Sequence, residues 1–140
     1  TLNESLQEGN YDWGIFTAAV ADFQPESVFE GKLPSNQKQL SLKLVPTVKV
    51  IEEVRQNFPE LKMVTFKYEE NISHEKLMEI AKKRLSEKVG SQLVVANRVE
   101  EFKQDGTQVA WLLESKQEPQ KHIGKKDIAN AILDRIELTA

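Results

Sequence analysis

Residues 13–32 read WGIFTAAVADFQPESVFEGK and contain the most informative pattern of the chain. An apolar run over residues 13–21 ends abruptly at Asp22, and a polar segment then leads to Lys32. Such a run predicts a strand covered on both faces, with a carboxylate at its carboxyl end. Ligands of open α/β sheets bind beyond the carboxyl ends of the strands, so Asp22 is a candidate ligand contact. The alternative is that Asp22 only opens a turn and Lys32 is a solvated surface charge.

The segments on either side of this strand predict helices and a flap. Leu2 and Leu6 lie one helical turn apart and indicate the tail of a helix. Residues 24–39 contain two prolines and a glycine and predict a loop or flap. Residues 40–44 alternate apolar and polar side chains, which predicts a half-exposed strand. After Pro46 we expect a helix with Val48, Ile51 and Val54 on one face and Val50 off that face.

The second half of the chain alternates predicted strands and helices. The strands are expected at residues 62–66, 93–96 and 108–113, with a turn at Asp105-Gly106 before the third. Ser73 is a suitable N-cap for a helix that buries Leu77, Ile80, Ala81 and Leu85. A last helix from about residue 126 is expected to bury Ile128, Ile132, Leu133 and Ile136. We therefore predict residues 1–140 to be a single α/β domain, three-layered and Rossmann-like. Its sheet is mostly parallel, with an antiparallel extension and a flexible flap.

The composition excludes several classes of protein. Of the 140 residues 39% are hydrophobic and 29% charged, and no apolar stretch is long enough for a membrane span. The absence of cysteine rules out disulfides and thiol catalysis and is typical of a cytoplasmic enzyme. The net charge of −3 argues against binding nucleic acid through bulk charge. His74 and His122 lack metal-ligand spacing, so we expect no metal held by side chains.

Motifs for common chemistries are also missing. The chain contains no GxGxxG, Walker A or GxSxG segment. An enzyme with this sequence would work mainly by positioning charged ligands and by stabilising phosphate charge, as ligases do.

The segment AAVADF at residues 18–23, with Lys32 ten residues after Asp22, resembles phosphopantothenoylcysteine synthetase. This family joins phosphopantothenate to cysteine in coenzyme A synthesis, and its motif reads roughly A-A-V-[AS]-D-[YF] before a flap with an essential lysine. The resemblance extends from about residue 11 to residue 136. It implies that Phe16, Thr17 and Ala18 contact a nucleotide through their main chain and that Asp22 also contacts it. Lys32 would be the catalytic lysine, reaching the phosphates or the acyl-nucleotide.

The same resemblance places a nucleotide contact at the helix that follows the flap. Members often carry [TN]-P-D-I-[LV], whose helix amides face the triphosphate, and here residues 47–51 read TVKVI. The implied contacts are Val48, Lys49, Val50 and Ile51. Lys49 replaces the usual aspartate and alters the charge beside the nucleotide, although backbone N–H groups at a helix N-terminus still favour anions.

Three later segments also resemble the family. Residues 65–69, TFKYE, match G-F-x-x-E, in which the phenylalanine packs on the nucleotide; Phe66 is the candidate, and core packing is the equal alternative. Arg84 and Lys88 correspond to basic residues that bind phosphates from one helix face. Residues 93–97, LVVAN, match L-I-V-A-N, but Arg98 follows where an aspartate is usual.

The resemblance implies a two-step ligase reaction. Phosphopantothenate attacks the α-phosphate of CTP, or less often ATP, with Mg²⁺ bridging the phosphates, and cysteine then displaces the nucleoside monophosphate. Family members dimerise, and Leu40, Leu42 and Leu44 would suit either that interface or the domain's own core. No G-G-T-x-E segment is present, so we expect an amino-terminally truncated synthetase domain, possibly one fused to a decarboxylase. The alternatives are a nucleotide-binding or regulatory relative without catalysis and an unrelated α/β domain.

Overall fold

The computed structural model describes residues 1–33, 35–36, 38–86 and 89–138. The helices of these residues are α1 (Leu2–Glu8), α2 (Val50–Asn57), α3 (His74–Ser86) and α4 (Lys125–Glu137). The strands are β1 (Trp13–Phe16), β2 (Phe23–Pro25), β3 (Leu44–Pro46), β4 (Lys62–Glu69), β5 (Leu93–Arg98), β6 (Val109–Glu114) and β7 (Gln120–Ile123). A short 3₁₀ helix, Val99–Glu101, follows β5.

Five strands form the central sheet in the order β1-β4-β5-β6-β7. The pairs β1–β4 and β4–β5 are parallel, whereas β5–β6 and β6–β7 are antiparallel. Strands β1, β4, β5 and β7 therefore point in one direction and only β6 opposes them. The predicted α/β architecture, a mostly parallel sheet with an antiparallel extension, is confirmed.

One face of the sheet is covered by α4. Alternate residues of the inner strands, such as Val64, Val95 and Leu112, pack there against Ile128 and Ile132 of the helix. Alternation of side chains along a strand places these residues on a common face. Burying each such side chain contributes about 1.5–3 kcal/mol.

The opposite face is covered by α2 and α3, which completes three layers. Leu77 of α3 is fully buried against Val94 and Leu113, and Val54 of α2 packs on Met63. Helix α3 starts where the sequence predicts, because the Ser73 hydroxyl accepts a hydrogen bond from the Lys76 amide at 3.2 Å. The Ser73 cap is therefore confirmed.

The first strand is shorter and more exposed than predicted. Strand β1 ends at Phe16 instead of continuing to residue 21, and Ile15 is 47% exposed. The reason is topological: β1 is the last strand in the order of the described sheet, and residues 17–22 leave the sheet to border a cavity. An apolar run alone does not distinguish a central strand from one at the edge.

Two helical stripes also differ from prediction. Helix α2 begins only at Val50, so Val48 precedes it and is exposed, while Val50 packs with Ile51 on the core around Val54. In α4, Leu133 is 51% exposed. It lies about 100° around the helix from the buried residue before it, and so points away from the sheet.

Strands β2 and β3 form a two-stranded ribbon apart from the central sheet. Strands β2 and β3 pair antiparallel, and the Glu26 amide donates to the Lys43 carbonyl at 2.9 Å beyond them. The predicted strand at residues 40–44 was wrong except for Leu44, which starts β3. Leu40, Leu42 and Leu44 are all more than half exposed, so they do not cover the core of this chain.

Candidate functional site

A cavity of about 640 Å³ opens at the carboxyl ends of β1 and β4. Ten of the twelve side chains that the sequence proposed for a site line it. These ten are Phe16, Thr17, Ala18, Asp22, Val48, Lys49, Val50, Ile51, Phe66 and Arg84. Segments that are distant in sequence therefore meet in one place.

The parallel pairing of two strands brings these segments together. Phe16, the last residue of β1, is the register partner of Thr65 of β4, so the end of β1 lies beside the residues of β4 that line the cavity. Residues 17–22 leave β1 at this edge, and the Thr47 amide donates to the carbonyl oxygen of Asp22 at 2.9 Å. The Thr47 hydroxyl also donates to the carbonyl of Ala21. The segment after β1 is thereby held beside the start of α2.

Asp22 and Lys49 form an ion pair at the mouth of the cavity. The Lys49 ammonium donates a hydrogen bond to the Asp22 carboxylate, and both side chains are more than half exposed. The hydrogen bond and charge of Lys49 hold the pKa of Asp22 below its usual value. Lys49 occupies the N-cap position of α2 but makes no side-chain cap there, so its ammonium is directed to the pair.

The position of Phe66 is compatible with both interpretations drawn from the sequence, a nucleotide contact and core packing. It lies on β4, packs against the core that includes Val64, and also lines the cavity. Its ring is half-buried at the point where the strand leaves the core.

A second, smaller hollow of about 300 Å³ adjoins the first. Arg84 of α3 and Lys49 line both hollows, and so does Lys67 of β4. Sequence reasoning did not propose Lys67 as a site residue. The signal that could have found it is its position two residues after Thr65, on the same face of a strand that ends at this edge.

Two of the proposed site residues, Lys32 and Lys88, are not among the described residues at the cavity. Lys32 is exposed on the connection between β2 and β3 and is not among the described residues that line the cavity. Lys88 lies outside the described residues. Both roles therefore stay predictions.

Arg98 is engaged away from the cavity. Its guanidinium donates to the carbonyl of Ile72 at 2.6 Å and to the Glu101 carboxylate at 3.1 Å. Arg98, which stands where the family usually has an aspartate, thus holds the segment before α3 in place.

The described residues contain no group of three or more His, Cys, Asp or Glu side chains that could hold a metal ion. In the same part of the chain, no helix combines the length and apolar character that crossing a bilayer requires.

Residues 2–139 match the family described as the DNA/pantothenate metabolism flavoprotein C-terminal domain. The chain belongs to this family. The resemblance drawn from the sequence motifs is thereby confirmed. Within the flavoprotein C-terminal domain family, curated relatives include the coenzyme A biosynthesis bifunctional protein CoaBC of Thermococcus kodakarensis, 32% identical over 136 residues. The protein of the same name from Methanocaldococcus jannaschii is 33% identical over 138 residues.

Each of these alignments covers 97% of this chain but only 33% or 34% of the relative. The chain therefore spans about a third of the length of the curated relatives it matches.

Solved structures of this family share the fold. The DNA/pantothenate metabolism flavoprotein from Streptococcus pneumoniae superimposes with a TM-score of 0.81 at 25% identity, covering 99% of this chain and 69% of that one. The C-terminal domain of the coenzyme A biosynthesis bifunctional protein CoaBC gives a TM-score of 0.68, with coverage of 99% and 60%. Its identity of 22% supports the fold alone.

Proposed function

We propose that this chain provides the nucleotide-binding part of a phosphopantothenate–cysteine ligase of coenzyme A biosynthesis. The observation that carries the proposal is the cavity of about 640 Å³ beyond β1, which gathers ten motif residues. The names of the curated relatives, which are coenzyme A biosynthesis proteins, support the pathway.

In the proposed reaction the carboxylate of phosphopantothenate attacks the α-phosphorus of a nucleoside triphosphate. The bond to pyrophosphate breaks and an acyl-nucleotide forms. The amine of cysteine then attacks the acyl carbon, and nucleoside monophosphate leaves. The chain's own contribution is to position the nucleotide and offset its charge: the main chain of residues 16–18 and the carboxylate of Asp22 hold the nucleoside end, and Arg84 faces the phosphates.

We propose CTP as the cosubstrate, with ATP as the alternative. The magnesium ion that we expect with it would be bound through the phosphate oxygens, since the described side chains do not converge as a metal site. Lys32 would reach the phosphates by movement of the connection between β2 and β3, because a lysine ammonium on a flexible stem can follow charge that shifts during a reaction.

The exposed ribbon supports a homodimer as part of this proposal. Apolar residues on and beside it, including Phe23, Phe29 and Leu42, are more than half exposed. Large exposed apolar side chains that lie close together are typical of an interface. The word "bifunctional" in the names of the relatives suggests a decarboxylase partner domain. A cytoplasmic location accords with a chain that has no cysteine.

A second candidate function is a nucleotide-binding or regulatory relative that lacks catalysis. The observation that favours it is the Asp22–Lys49 pair, which ties up the aspartate expected to contact the nucleotide.

Calorimetric titration with CTP and then ATP, in the presence of magnesium, tests the proposal. We expect saturable binding that prefers one nucleotide and that weakens in Asp22→Ala. Absence of binding to both would overturn the nucleotide site. Formation of phosphopantothenoylcysteine by the wild type and its loss in Lys32→Gln would support the ligase, whereas nucleotide binding without turnover would support the second candidate.

A further inference from the structure

Three cationic side chains are common to the two adjoining hollows. Lys49, Lys67 and Arg84 line both, together with the apolar side chain of Ile51. The two hollows are therefore parts of one depression, and a ligand that crosses from the larger to the smaller passes these three cations.

Lys67 is the most enclosed of the lysines in this depression whose ion pairs are defined. Its side chain is only 25% exposed, compared with 54% for Lys49 and 57% for Lys83. Strand β4 places Lys67 on the same face as Thr65, which is buried and lines the cavity. The pKa of Asp22 is lowered mainly by the hydrogen bond and charge of Lys49, and the charge of Lys67 adds a smaller contribution in the same direction.

Glu69 is the carboxylate that pairs with Lys67. The Lys67 ammonium lies 2.6 Å from Oε1 of Glu69, whose side chain is 27% exposed. Glu69 follows two residues later on the same face of β4, about 6.6 Å farther toward the carboxyl end of the strand. The pair thus directs the ammonium toward the carboxyl end of the strand.

Three lysines that line the depression pair with carboxylates. Asp22 pairs with Lys49, Glu69 with Lys67 and Glu79 with Lys83. A partly exposed pair of this kind gains little free energy, so a multiply charged ligand can replace the carboxylate. A polyphosphate carries more negative charge than a single carboxylate and offers several acceptor oxygens.

We propose that Lys67 is a further ligand-binding residue of this cavity, whose ammonium exchanges Glu69 for the phosphates of a bound nucleoside triphosphate. The inference rests on the proposed function. It adds a residue of β4 to the site and gives Glu69 the role of a resting partner that positions Lys67.

The test compares the wild type with Lys67→Met, Lys67→Arg and Glu69→Gln in calorimetric titrations with CTP and ATP, and with cytidine and adenosine as ligands without phosphates. Lys76→Met is the matched control, because Lys76 also pairs with a carboxylate, Glu79 at 2.8 Å, but lies outside both hollows. Thermal unfolding of each variant reports whether it is folded.

Lys67→Met is expected to weaken binding of the preferred triphosphate about tenfold or more, because it removes a charged hydrogen-bond donor. Binding of the corresponding nucleoside should change by less than about twofold, since no phosphate is involved. Lys67→Arg keeps the charge and should stay within about threefold of the wild type. Glu69→Gln removes the competing carboxylate and should raise the triphosphate affinity.

Equal triphosphate affinities for Lys67→Met and Lys76→Met would overturn the inference and leave the proposed function standing. A wild type that binds neither nucleotide would overturn both. If Lys67→Met does not fold, Glu69→Gln decides the matter: a tenfold loss of triphosphate affinity in that folded variant would show that Glu69 itself supports the ligand and would contradict its role as a competitor.

Discussion

Arg55 donates a hydrogen bond from Nε to the carbonyl oxygen of Val89 at 2.8 Å and so joins α2 to the segment that precedes β5. The same guanidinium donates to the carbonyl of Gly90 at 3.2 Å and to the carbonyl of Pro59. One side chain thus satisfies three backbone acceptors in two segments that are far apart in sequence.

Replacing Arg55 by Met should lower the free energy of unfolding by about 2–3 kcal/mol, because carbonyls that a charged donor satisfies are left without it. Urea unfolding followed by circular dichroism measures the change. Lys82→Met, on the exposed side of α3, is the control and should stay within about 0.5 kcal/mol of the wild type. Equal unfolding midpoints for the two variants would show that the hydrogen bonds of Arg55 do not contribute to stability.

Glu101 should make the stability of the chain depend on pH. Burial by itself raises the pKa of Glu101, but hydrogen bonds from Trp111, His74 and Arg98 outweigh it and lower the pKa below its usual value. The Trp111 indole donates at 2.6 Å, and Nδ1 of His74 lies at 2.7 Å. A carboxyl whose pKa is lowered on folding stabilises the protein above its unfolded-state pKa of about 4.3. This contribution is lost as the pH falls through the lower pKa of the folded state.

At pH 7, Glu101→Gln is therefore expected to lower the free energy of unfolding by about 2 kcal/mol. The difference in unfolding free energy between this variant and the wild type should become smaller as the pH falls below about 4. Urea unfolding at several pH values measures it, with Glu118→Gln, a change on the exposed turn after β6, as the control. A gap that stays constant down to the lowest pH would contradict the sign of the shift.

The N-cap of α3 gives a third prediction. Ser73→Ala removes the acceptor of the Lys76 amide and should lower the free energy of unfolding by about 1 kcal/mol. Ser73→Asp restores an acceptor and should keep most of the stability. Chemical unfolding of the three proteins side by side tests this, and identical stabilities for the Ala and Asp variants would argue against capping.

The ribbon gives a prediction about assembly. Leu42 is 62% exposed, so Leu42→Glu should leave the unfolding midpoint of the monomer nearly unchanged. If the ribbon forms the proposed dimer interface, the same change should convert dimers to monomers in sedimentation velocity. Leu133→Glu on α4, which is also about half exposed, is the control and should not change assembly. Dimers that persist in Leu42→Glu would place the interface elsewhere.

The sequence was sufficient to predict a helix or strand where the identifying pattern lies within that element's own residues. Helix α3 was predicted from the Ser73 cap and a stripe of period 3.6, and β5 from a short run of β-branched residues. Strand β7 was missed because Gln120–Ile123 has a single apolar residue and depends on pairing with β6. The end of β1 was wrong because the sequence does not state which strand lies at the edge.

The residues of the candidate site likewise fall into those that could be predicted from the sequence and those that could not. Its motif residues could be named from the sequence because their order resembles that of a family. Lys67 was not among them, because the resemblance assigns no role to the lysine after Phe66. What brings it to the cavity is the register of β1 on β4 and the placement of Arg84 by α3, which are products of tertiary packing.

Strands β2 and β3 of the ribbon close the base of the segment that connects them. The length of that segment therefore has little effect on the geometry of the cavity. Both ends of residues 26–43 are fastened together by the pairing of β2 with β3 and by the Glu26–Lys43 ion pair at 2.6 Å. Closing a flexible loop costs only about 0.6 kcal/mol more when its length doubles. Extra residues spliced into this connection should therefore cost the fold little free energy, whereas they would change the distance that Lys32 must cover to reach the ligand cavity.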